Sequence, residues 1–214
     1  MSLAPFSTPV LLLVFRRVDT TAAVLEVLAK IKPRRLYVAA DAPLQGDAVM
    51  EAACAATRQL VETRLTWPCE VFRHYADTHL GCRRGVAEAL GWFFSKESEG
   101  IVLEDDVVPD LSFFPYCEEL LERYRDDSRI GCISGLNLLG DRAPSGASYR
   151  FSIYNHCWGW ASWRRAWNFY DADLAGWPSF RDGRWLEALG GKRFSAFFSR
   201  QLERCLLYTS DAAD

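Results

Sequence analysis

The chain has 214 residues, half of them hydrophobic and a quarter charged, with a formal charge of −3. That balance belongs to a folded globule large enough for one α/β domain and part of another. It excludes a nucleic-acid binder that works through a basic footprint, and no apolar run approaches the roughly 20 residues needed to cross a bilayer.

In chain order, "PVLLLVF" (9–15) is apolar on both faces and reads as a buried strand. It is too short to span a membrane and lacks the preceding positive charge of a signal peptide. A helix follows, capped by Asp19 or Thr20, with Val24, Leu25, Leu28 and Ile31 on one stripe and Pro33 ending it. "RLYVAAD" (35–41) is the second strand, 47–64 the second helix, "EVFRHY" (70–75) the third strand. The helix over 83–97 places Val86, Leu90, Phe93 and Phe94 on one face. "GIVLEDD" (100–106) is the fourth strand, and the helix over 112–127 turns Phe113, Cys117, Leu120, Leu121 and Tyr124 inward. "RIGCISGLN" (129–137) reads as a fifth strand and "SYRFSIY" (148–154) as another.

Strands alternating with helices imply parallel pairing through right-handed crossovers. The expected fold is therefore α/β, an open and mostly parallel sheet with flanking helices, taking ligands outside the carboxyl ends of its strands. Residues 1–137 are assigned to this half and 138–204 to the start of a second region. The stretch 205–214 within "CLLYTSDAAD" continues no pattern and reads as a non-native tail on a truncated chain. Seven cysteines without Cys-x-x-Cys spacing suit reduced thiols and a cytoplasmic location rather than disulfides or zinc. Cys54 and Cys117 fall on apolar helix faces and are read as packing residues. The arginine pairs 16–17, 34–35, 83–84 and 164–165 read mostly as solvated surface.

The chemistry concentrates at Glu104, Asp105 and Asp106. Three successive acids at a strand end are disfavoured by repulsion and desolvation unless the turn is wet or a cation arrives. Oxygen ligands of this kind suit Mn²⁺ or Mg²⁺ bridging protein and diphosphate. Asp41 ends another strand. Five tryptophans lie between His156 and Phe180. Large aromatics commonly fill cores, the simplest reading of Trp163 and Trp167, yet aromatic faces also pack on sugar C–H faces. His156 is read as a core residue or a polar contact.

"GIVLEDDVVPDLSFFPYCEELLERYRDDSRIGCISGLN" resembles the metal-binding segment of nucleotide-sugar glycosyltransferases of the GT-A fold. Its Glu-Asp-Asp, followed by Pro and Phe-Phe, is similar to that of N-acetylglucosaminyltransferases. "FRRVDTT", "LYVAADAP" and "HCWGWASWRRAW" resemble a bacterial, family-2-like group, and the resemblance covers about residues 8 to 185. It implies that Asp106 binds the metal, Asp105 the donor ribose, and that Glu104 supports the cluster or touches the donor sugar. Phe15, Arg16 and Arg17 would line the nucleoside pocket, Asp41 would meet the nucleobase, and Arg83 and Arg84 the diphosphate. Asn137, Trp158, Gly159 and Trp160 would border the acceptor, a saccharide or other hydroxyl compound. The family's catalytic base lies further along; Asp171 and Asp173 are the nearest carboxylates here. The expectation is a metal-dependent glycosyltransferase using a nucleoside-diphosphate sugar, working in the cytoplasm or at the inner membrane face. It would bind donor yet lack turnover if truncated. A Mg²⁺-dependent phosphotransfer enzyme and a non-catalytic carbohydrate-binding domain are the alternatives.

Overall fold

A computed structural model describes residues 6–138 and 146–207. The chain divides into two compact units. The first takes the described residues up to Arg150 together with Tyr154–Asn168, and the second takes Phe151–Ile153 and the residues from Phe169 onward.

The first unit is an α/β sheet. Its elements are β1 (Val10–Val14), α1 (Val18–Ile31), β2 (Arg35–Ala40), α2 (Ala48–Arg64), β3 (Glu70–Tyr75), α3 (Gly81–Lys96), β4 (Glu99–Glu104), α4 (Phe113–Arg123), β5 (Ile133–Ser134), β6 (Trp160–Trp163) and α5 (Arg164–Trp167). The six strands run in the order β3-β2-β1-β4-β6-β5. β1 pairs in parallel with β2 and β4, and β2 with β3. Alternation along β1 sends Val10, Leu12 and Val14 to one face, packed with Val24, Leu25 and Leu28 of α1 and Phe114, Cys117 and Leu121 of α4. Leu11 on the opposite face joins Tyr37, Val102 and the α3 residues Ala89, Leu90, Phe93 and Phe94. β1 is hydrophobic throughout because it is covered on both sides.

Beyond β4 the sheet departs from the expected order. The fifth strand expected over 129–137 is reduced to Ile133–Ser134, and 148–154 forms no strand. β6, drawn from "WASW", inserts between β4 and β5 and runs antiparallel to both. Gly135 explains the early stop: the chain lies so flat on Phe113 that a Cβ there would come within 2.6 Å of its ring. β6 wins the place beside β4 because its alternation suits a doubly covered position. Ala161 and Trp163 enter the α1/α4 side, and Trp160 packs on the α3 side. Trp163 also donates from Nε1 to the Leu121 carbonyl at 3.2 Å, so it is a core residue.

Helix ends follow local chemistry. Asp47 caps α2 by accepting from the amides of Val49 and Met50 at 3.1 and 2.9 Å. α1 is capped at Arg17, two residues before Asp19, so Asp19 sits in its first turn, where a carboxylate complements the helix dipole. Lys32 closes α1 in the left-handed region (φ 55°) before Pro33.

Arg164 and Arg165 both clamp backbone carbonyls, Arg164 from an exposed position as read and Arg165 half-buried rather than solvated. Arg164 Nε donates to the carbonyls of Phe94 and Glu97 at the end of α3. Arg165 donates to the carbonyls of Tyr124, Arg125 and Ile130, with its guanidinium carbon 4.3 Å from the Trp163 ring centroid. Arg35 likewise donates to the buried Glu97 carboxylate at 2.9 Å, which also accepts from the Tyr37 hydroxyl at 2.7 Å. Cys54 and Cys117 are buried, as read from their helix faces.

In the second unit, α6 (Trp177–Asp182) packs against α7 (Trp185–Leu207), which is interrupted at Gly191 (φ 80°). The rings of Phe194 and Phe198 within it are tilted at 40°, with centroids 4.4 Å apart. No described helix is long and apolar enough to cross a membrane.

Candidate functional site

β1 lies between β2 on one side and β4 on the other, so the chain's crossovers diverge at the β1/β4 boundary. In open α/β sheets the crevice outside such a reversal receives ligands. Here the carboxyl ends of the two strands deliver "FRR" and "EDD" to the same place.

Asp105 is only 5% exposed. Its Oδ2 accepts from the Phe15 amide at 3.2 Å and its Oδ1 from Arg17 Nη1 at 3.0 Å. The same Arg17 nitrogen donates to Asp106 Oδ2 at 2.7 Å. Asp106 is exposed, and its second oxygen is unused by the described residues. The positive charge beside the acid trio is thus supplied by the chain itself. Burial pushes both Glu104 and Asp105 above the ordinary carboxylate range. For Glu104 the charges of Asp106 and Asp105 add to the rise, with Arg17 opposing it; for Asp105 the Phe15 amide and Arg17 hold the rise down.

That shift has a consequence for stability. A carboxyl whose folded pKa is raised costs stability when ionised; the cost is complete above the folded value and disappears as the pH falls below the unfolded one. In chelator-treated protein, Glu104→Gln is therefore expected to melt higher than the wild type at pH 8. The two should converge toward pH 4. A lower melting temperature at pH 8 would contradict this electrostatic account.

Asp41, at the end of β2, binds the start of α3. Its Oδ1 accepts from the amides of Ala42 and Leu80 at 2.8 and 2.9 Å, and its Oδ2 from Gly81 at 2.8 Å. Backbone donors that a phosphate could use elsewhere are here engaged by a carboxylate. His79 Nδ1 lies 2.7 Å from the Ala42 carbonyl and 3.3 Å from Asp41 Oδ2. Both partners are acceptors, so Nδ1 carries the proton. The His79 ring faces that of Phe15 with centroids 5.8 Å apart, and Arg16 lies 5.5 Å from the Phe15 ring centroid. Asp41 and Asp105 therefore belong to one continuous patch, joined through His79 and Phe15. From α2, Arg58 donates to the Asp41 carbonyl at 2.8 Å and lies over Tyr75 at 4.9 Å; its Nε is buried without a partner among the described residues.

Arg83 and Arg84 are exposed in the first turn of α3, directly after the amides that Asp41 holds. Gly159 (φ 67°) lies against the turn that follows the acids, where a Cβ would meet Val107 Cγ1 at 3.3 Å. Its carbonyl accepts from the Gly135 amide at 2.9 Å. Trp158 beside it is 65% exposed, while Trp160 is half-buried on the α3 face. Asn137 accepts from Arg150 Nη2 at 2.7 Å. Asp171, in the second unit, spends both oxygens on its own turn, accepting from the amides of Asp173 and Ala175 at 3.0 and 2.7 Å. His79, Arg58 and the pairing of Arg17 with the acids were not read from the sequence. "HLG" ahead of α3 was the available signal for His79.

No family model matches the chain, and no curated protein matches it. Among solved structures it is similar to a 4-diphosphocytidyl-2C-methyl-D-erythritol synthase from Anaerococcus prevotii. The identity is 9% and the TM-score 0.41, over 74% of this chain and 72% of the other. A likeness at that level assigns no activity.

Among the described residues no group of three or more His, Cys, Asp or Glu side chains is arranged to hold a metal ion. A cation enclosed entirely by protein does not fit here. A Mg²⁺- or Mn²⁺-type shell, with one carboxylate and the remainder from ligand phosphates and water, does fit Asp106.

Proposed function

We propose that this is a metal-dependent glycosyltransferase of GT-A type, moving a sugar from a nucleoside diphosphate to an acceptor hydroxyl. The observation that carries the reading is the acid trio at the β1/β4 strand reversal, continuous with Asp41 through Phe15 and His79. A wet turn would not place Asp105 in the interior and tie it to the neighbouring strand's amide.

Asp106, exposed and with an oxygen to spare, would hold Mn²⁺ or Mg²⁺. When bound, the cation would offset the negative charge that develops on a departing diphosphate. Phe15 and His79 offer ring faces to a nucleoside, with Asp41 and Arg16 at their edges. Arg17, Arg83 and Arg84 are the cations for the phosphates. Asp105 fixes the β1 loop and orients Arg17. The exposed Trp158 indole offers a flat apolar face to a sugar ring, and Gly159 lets the backbone lie close against the metal turn. The acceptor is read as a saccharide or other hydroxyl compound.

Calorimetric titration of the full chain with UDP, GDP and phosphorylated small molecules, with and without Mn²⁺, tests the reading. Nucleoside diphosphates are expected to bind only when Mn²⁺ is present. Binding of phosphorylated small molecules in preference to diphosphates would favour phosphotransfer chemistry. Binding of free glycans alone, indifferent to metal, would replace the enzyme with a carbohydrate-binding domain.

A further inference from the structure

We infer that Arg17 is a resident counter-ion competing with the divalent cation for Asp106, so that cation and diphosphate bind as a coupled pair. The inference rests on the metal role proposed for Asp106.

One guanidinium nitrogen serves two carboxylates, 3.0 Å from Asp105 Oδ1 and 2.7 Å from Asp106 Oδ2. The two contacts are unequal in what holds them. The Asp105 side chain is 7% exposed and anchored a second time by the Phe15 amide. The Asp106 and Arg17 side chains are 43% and 56% exposed. The outer contact is therefore screened and cheap to break, while the inner one is fixed in the β1–β4 join.

A hard dication seeks the same class of oxygen at about 2.0–2.1 Å for Mg²⁺. It cannot share Asp106 closely with a guanidinium without like-charge repulsion. Cation alone, on the other oxygen of Asp106, must therefore bind against the nearby guanidinium charge or displace Arg17, which then loses a partner and gains none. With a diphosphate present the balance changes. The planar guanidinium matches phosphate oxygens as well as carboxylate oxygens, so Arg17 exchanges Asp106 for the incoming anion. Asp106 is left to the cation. Each ligand removes an obstacle to the other, and the coupling must be equal in both directions.

The experiment is a Mn²⁺ titration followed by electron paramagnetic resonance of the free ion, without UDP and at saturating UDP. It is run on the wild type, Arg17→Met and Arg17→Lys, with thermal melts to establish that each is folded. In the wild type UDP is expected to tighten Mn²⁺ binding by about tenfold or more, within the usual range of couplings between sites. Arg17→Met should bind Mn²⁺ alone several-fold tighter than the wild type, while its UDP-dependent gain shrinks to the part that phosphate ligation of the cation supplies. Arg17→Lys, which keeps the charge without the fork, should retain the weak binding of Mn²⁺ alone and lose part of the gain. If Arg17→Met binds Mn²⁺ alone no tighter than the wild type, or keeps the full UDP effect, the inference is overturned. That failure is distinct from failure of the metal role itself, which would appear as Mn²⁺ binding to Asp106→Asn as well as to the wild type.

Discussion

Asp106→Asn is expected to abolish Mn²⁺-dependent binding of nucleoside diphosphates while leaving the fold intact. The substitution keeps the side chain's shape and removes its charge. Because the residue is exposed and its protein contact is one outer ion pair, stability should stay within about 0.5 kcal/mol of the wild type. Loss of a supporting group around a bound metal commonly costs 10- to 100-fold in affinity, and a direct ligand should cost at least about 100-fold. Calorimetry with UDP and Mn²⁺ reads the affinity, and a urea melt reads the fold. The matched substitution Asp105→Asn gives the contrast. Its two oxygens accept from the Phe15 amide and Arg17, and an amide keeps only one of those acceptors, so the lost hydrogen bond should lower stability as well as binding. Equal affinities in Asp106→Asn and the wild type would remove the metal from the mechanism.

The part of this molecule that was legible in the sequence is the part set by local pattern. β1, β2 and β4 carry short apolar runs, β3 is a mixed edge strand, helical periodicity lies between them, and each emerges at close to its expected place. The acids were legible because a run of like charges at a strand end contradicts burial and calls for a partner. What stayed hidden depends on contacts between distant segments. β6 pairs with β4 across some sixty residues, and nothing within "WASW" itself distinguishes a strand from a helical turn. Arg164 and Arg165 looked like surface charge because carbonyls at the ends of α3 and α4 become their partners only after the layers pack. Arg17 posed the same difficulty in the site. The family resemblance implied a nucleoside pocket for it, whereas its nearest charges lie 88 and 89 positions away.

Gly100→Ala is expected to destabilise the first unit by about 3 kcal/mol, at the upper end of the cost of overpacking a core. A Cβ at this position would come 2.3 Å from Phe93 Cζ and 2.9 Å from the Pro9 carbonyl oxygen. Neither can move away easily. Phe93 is fully buried among Leu11, Tyr37 and Phe94, and the Pro9 carbonyl accepts from the Ile101 amide at 2.9 Å, where the β1–β4 pairing begins. Relief must therefore come from prying β4 away from β1 or turning Phe93 out of its rotamer. The first of these propagates along the strand pair to its other end, where Phe15 and Arg17 meet Asp105. The variant should accordingly show two effects together: a lower urea midpoint, and weaker Mn²⁺–UDP binding even at temperatures where it remains folded. Replacing Phe93 by Leu in the same chain removes the clashing ring atoms and should restore part of both. A Gly100→Ala protein as stable as the wild type would mean that β4 does not lie as close to Pro9 and Phe93 as these distances state. The joining of the acids to the β1 loop would then lack its structural basis.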